Sequence, residues 1–118
     1  MNIREAIMAF SQSEKIKSGI IWVSHALELL AGLPQPERQG AEKIIRMKID
    51  SMVQEIRLAR KLTGEQDWNE IESVIDQALV MINSGVAPES VTHLTRALSR
   101  VTSIGHRSMS SLKEEGLL

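Results

Sequence analysis

Cysteine and tyrosine are absent from this chain of 118 residues, and its aromatics reduce to Phe10, Trp22 and Trp68. Without thiols there is no thiolate catalysis, no Cys-based zinc site and no disulfide, a composition compatible with a reducing compartment. With so few rings, a sheet that stacks single-stranded bases drops out, and the aliphatic remainder suits the core of a helical bundle. An excess of charge is missing as well. The formal net charge is -1, so no global attraction draws the chain to nucleic acid or to an anionic membrane. The longest apolar run, Ile20 to Leu33, is broken by Ser24, His25 and Glu28 and is too short to cross a bilayer. The opening Met1-Asn2-Ile3-Arg4-Glu5 carries an acid where a secretory signal is basic, and no apolar core or small-residue cleavage site follows. The expectation is a cytoplasmic protein forming one domain over residues 1–118, with no membrane partner.

Chemical motifs are equally scarce. There is no glycine-rich phosphate loop, no nucleophile elbow and no Glu-x-x-His pair of the kind that builds di-metal sites in bundle cores. His25 with Glu28, and Glu89 with His93, each sit one turn apart, but two ligands from one helix do not make a site. No enzyme, metal or cofactor is expected.

What the chain does have is periodicity. Apolar residues recur at steps of three and four in four segments: Ile16, Ile20, Val23, Leu27, Leu30; Ile45, Ile49, Met52, Ile56, Ala59; Trp68, Ile71, Ile75, Ala78, Ile82; and Val91, Leu94, Leu98, Val101. Each series draws one apolar stripe along a helix. Gly32 and Pro34, then Gly64, then Asn83-Ser84-Gly85, then Gly116 stop the four helices, and Pro36 and Pro88 suit first turns. Ahead of them, Asn2 with Glu5 caps a short helix from Ile3 to Phe10, and the pair Ser11 and Glu14 reads as a new capping box that opens the next. The predicted fold is all-α: an antiparallel four-helix bundle with a short extra N-terminal helix, its neighbours joined by short connections.

Charge is partitioned between the last two helices. Glu65 to Ser84 carries acids without Lys or Arg, whereas Ser90 to Leu112 carries Arg96, Arg100 and Arg107 without acids. Opposite charges flanking the seam of this hairpin is the reading we favour. His93, Arg96, Arg100 and Arg107 follow at steps of three, four and seven, so an anion-binding face that tracks phosphates is the alternative. Nucleic acid is disfavoured by the neutral whole. His93 also has Arg96 three positions on and Ala97 at the fourth, which resembles histidine phosphotransfer domains at those three positions. The resemblance implies a phosphoaccepting His93, although in that family the histidine lies earlier in the bundle.

The segment Ile20 to Leu33 is apolar around most of its circumference, because Trp22, Ala26, Leu29 and Leu33 form a second stripe beside the core one. A bundle helix buries one face and wets the other, so a second apolar face needs a cover. Met47 and Leu58, outside the main stripe of the next helix, point the same way. The expected function is a non-enzymatic helical interaction module, an adaptor, chaperone or small regulatory subunit. It associates with itself as a dimer and binds a protein partner through Trp22, Ala26, Leu29 and Leu33.

Overall fold

A computed structural model describes residues 1–118 as four long helices and one 3-10 turn, with no strand. The helices are α1 (Ile3–Leu30), α2 (Gln35–Thr63), α3 (Asp67–Asn83) and α4 (Ser90–Glu114), the last preceded by the 3-10 turn Ala87–Glu89. The protein is all-α, a rod of 53 × 22 × 19 Å. No helix is long and apolar enough to cross a membrane. Each of α1 and α3 packs against both α2 and α4, while no Cα of α1 lies within 8 Å of one in α3, nor any of α2 within 8 Å of one in α4.

Burial follows a heptad rhythm. On α1 a row of buried positions, Ala6, Ala9, Ser13, Ile16, Ile20, Val23, Leu27 and Leu30, alternates steps of three and four without a break, with Gln12 and Gly19 buried beside it. The matching row on α2 is Ile45, Ile49, Met52, Ile56, Ala59 and Thr63, with Val53 buried beside it, and on α3 Trp68, Ile71, Ile75, Ala78 and Ile82, with Val74 beside it. These rows meet in one contiguous core of 23 residues. Trp68 is its largest wholly buried side chain, and the indole Nε1 donates to Thr63 Oγ1 at 3.1 Å while that hydroxyl donates to the Ala59 carbonyl at 2.8 Å.

Two sequence expectations are corrected. The N-terminal segment is not a separate helix: α1 runs unbroken from Ile3 to Leu30. Asn2 does cap it, accepting from the Glu5 amide at 2.8 Å. Ser11, however, is an exposed mid-helix residue rather than a second cap. The apolar Ile3 and Ile7 are exposed, and the buried row starts instead with Ala6 and Ala9, both wholly buried. On α4 the buried row is Ser90, Leu94, Ala97, Val101, Ile104, Ser108 and Leu112, so Val91 and Leu98 are half-buried flanks of the core. Small side chains draw α1 and α4 together there. A Cβ built on Gly105 meets Ser13 Oγ at 3.0 Å.

One polar contact fixes α1 against α2. Gln12, nearly buried, donates from Nε2 to the Glu55 carbonyl at 3.1 Å and to its carboxylate at 3.0 Å. Lys15 adds an ion pair to the other carboxylate oxygen at 3.1 Å. The bond from Gln12 and then that from Lys15 hold the Glu55 carboxyl below its ordinary pKa.

Candidate functional site

Trp22, Ala26 and Leu29 lie on the side of α1 that borders α2, because steps of four and three keep them on one strip one position round from the core row, and Leu33 follows from the turn after the helix. The structure brings all four together. They line an open groove of about 300 Å³ whose opposite wall is Ala41, Ile44 and Ile45 of α2, so that all seven lining residues are apolar. Ile45 is the buried floor, Ala26 and Leu33 are half-buried walls, and Trp22, Leu29 and Ile44 form an exposed rim. The groove presents no titratable group, hydroxyl or amide. What its lining offers a neighbour is apolar contact.

Leu33 reaches the groove because the chain turns tightly after α1. The amides of Gly32 and Leu33 donate to the Leu29 and Leu30 carbonyls, and the Arg38 guanidinium donates to the carbonyls of Leu33 at 3.3 Å and Ala31 at 3.5 Å. Arg38 thus closes the carbonyl end of α1, where a cation is also favoured by the helix dipole. It borders a second cleft of about 270 Å³ with Glu42, Leu30 and Pro88, and its Nε has no partner.

Ala41 and Ile44 were missed by the sequence reading. Ile44 stands beside Ile45, and a pair of adjacent isoleucines reads as one core position; its exposure shows that only the second faces inward. The signal was present in Met47 and Leu58, which are exposed in the same way.

The residues singled out on α4 do not share one environment. Arg100 pairs with Glu70, and Arg107 with Asp67 at 2.7 Å and Glu65 at 3.4 Å, so both arginines lie on the α3 seam. Arg96 points to solvent. His93 is half-buried, with Nδ1 enclosed and unpartnered, and Ala97 is wholly buried, turned to the core rather than to the surface beside His93. The acids of α3 do not all face α4: Glu72 is 3.2 Å from Arg57 of α2. Nowhere do three His, Asp or Glu side chains gather as metal ligands would. Comparison with protein-family models, curated proteins and solved structures finds no match to the chain.

Proposed function

We propose that this chain is a non-enzymatic interaction module: an antiparallel four-helix bundle that self-associates and holds a protein partner, as a cytoplasmic adaptor, chaperone or small regulatory subunit does. The bundle reading is supported by residue pairs whose numbers run in opposite senses along neighbouring helices. Gln12 meets Glu55 and Gly19 meets Met52; Arg57 meets Glu72 and Arg46 meets Asn83; Glu70 meets Arg100 and Asp67 meets Arg107. The connections of a few residues between helices suit the same arrangement.

The single observation behind the interaction reading is the all-apolar groove of Trp22, Ala26, Leu29, Leu33 and their α2 partners. Leaving such a surface in water is unfavourable, and its cover comes from association. Trp22 supplies the measurement, since it is half-exposed while Trp68 is wholly buried. Raising the protein concentration through the micromolar range is expected to shift Trp22 emission to shorter wavelength in step with an increase in sedimentation coefficient. Leu29→Glu, at a position outside the core, is expected to abolish both changes without loss of helicity. Emission and sedimentation that stay constant across that range would remove the self-association half of the proposal.

A further inference from the structure

One strip along the water-facing side of α2 is uncharged, with Lys43, Asp50, Arg57 and Lys61 exposed beside it. Gly40, Ile44, Met47, Ser51, Gln54 and Leu58 are all exposed and succeed one another at steps of four and three, on the side turned away from the core row. A solvated helix side ordinarily holds Lys, Glu and Arg. In α2 such residues sit on the flanks, where Arg46, Arg57 and Arg60 reach α3 and Glu55 reaches α1.

The stripe is also complementary to itself. Its spacing reads the same in both directions. When a second stripe is laid over it head to tail, Gly40 comes opposite Leu58, Met47 opposite Ser51 and Ile44 opposite Gln54. A large side chain thus meets a small one at both ends and beside the centre, which is what knobs and holes require. An isologous contact needs one patch that fits its own copy, and this stripe meets that condition.

Area points to the same occupant. Trp22, Leu29, Ile44, Met47 and Leu58 are 44%, 74%, 58%, 71% and 43% exposed. At ~200 Å² for a whole large residue, together they offer about 600 Å² of exposed surface, most of the ~800 Å² per partner that a stable dimer buries.

Building on the self-association reading above, we propose that a second copy of this chain docks here, α2 against α2 in antiparallel orientation, about a two-fold axis between Met47 and Ser51. Since Gly19 of α1 lies against Met52 and near Lys48 of α2, the axis meets α1 close to Ser18. Trp22 and Leu29 then close over the first half of α1 in the other copy. Lys43, Asp50 and Arg57, all exposed on the α3 side of α2, stay at the margin in water.

The geometry is tested by sedimentation together with cysteine pairing, which a chain free of native thiols permits. Wild-type protein is expected to sediment as a dimer. Ser51→Arg, exposed in the single chain, should raise the dimer dissociation constant by about a hundredfold or more, because the contact then buries two like charges near its axis. Oxidising a mixture of Gly40→Cys and Leu58→Cys chains should yield the mixed dimer and neither homodimer, since each cysteine would stand roughly 27 Å along the helix from its own copy. A wild-type monomer, including one that instead binds an unrelated protein on this stripe, overturns this inference and the self-association reading together. A wild-type dimer that tolerates Ser51→Arg, or that links Gly40→Cys to itself, overturns the antiparallel α2 contact alone.

Discussion

Two buried polar side chains carry disproportionate weight at the scale of single residues. Gln12 is a polar residue at the seam of α1 and α2, and its bonds to both the carbonyl and the carboxylate of Glu55 are available in one register only. Glu55, held below its ordinary value of 4.5 first by Gln12 and then by Lys15, favours the fold as a carboxylate. Its contribution is therefore complete above the unfolded pKa and is lost as pH falls below about 4.5 through the depressed folded value. Asp76, pushed up by desolvation and by Glu72, acts in the opposite sense. Comparison of variants isolates the first effect: Gln12→Leu should weaken the acid dependence of urea unfolding between neutral pH and pH ~3, and a wild-type slope in the variant would exclude Gln12 as its source. The second residue is Thr63, which satisfies the buried indole Nε1 of Trp68. Thr63→Val preserves shape but orphans that donor, so a loss of about 1–3 kcal/mol is expected in chemical denaturation followed by tryptophan fluorescence.

Elements show how far the sequence was legible and where it stopped. The rows of α2 and α3 were readable because large apolar residues, Ile45, Ile49, Met52 and Ile56 on one and Trp68, Ile71, Ile75 and Ile82 on the other, mark most of their inward positions. On α1 and α4 hydrophobicity and burial diverge. Inward positions there include Ala6, Ala9, Ser13, Ala97 and Ser108, small residues that a hydrophobic pattern passes over, while Ile3, Ile7, Val91 and Leu98 lie outside the fully buried rows. The false break at Ser11 and the misplaced row of α4 share this cause. The groove was half legible for a related reason: Trp22, Leu29 and Leu33 mark the second stripe with large residues, whereas the α2 wall combines Ala41 with an isoleucine masked by its neighbour. Both corrections have thermodynamic consequences. As a mid-helix residue, Ser11 replaced by Ala should stabilise the protein by roughly 0.5 kcal/mol through helix propensity, whereas a capping Ser11 would cost about 1 kcal/mol. Leu94→Ala, at a wholly buried site, should cost about 2–5 kcal/mol. Leu98→Ala should cost less than Leu94→Ala and more than Arg100→Ala, and equal losses at positions 94 and 98 would return Leu98 to the core.

At the scale of the whole molecule, the apolar surface and the charged seam make separate demands, and the seam is where the proposed interaction module is tested against a phosphate-binding protein. Arg100 and Arg107 stand against Glu70, Asp67 and Glu65, so a nucleic-acid backbone would have to displace carboxylates already in place, and of the three arginines Arg96 alone has no carboxylate beside it. Exposed pairs of this kind are worth about 0.2–1 kcal/mol each and weaken with salt, while the contiguous core supplies most of the stability. Replacing Arg96, Arg100 and Arg107 together by Gln should therefore leave a folded protein, less stable by about 1–2 kcal/mol and less sensitive to salt in its unfolding. Neither this variant nor the wild type should retard DNA or RNA in a band-shift assay at physiological salt. A phosphate-binding face behaves differently: the wild type would form a complex whose affinity falls steeply as salt rises, with a slope that shrinks by about one for each arginine removed. A micromolar, salt-sensitive complex lost in the triple Gln variant would show that the carboxylates of α3 yield to phosphates, and α4 would displace the apolar groove as the working surface.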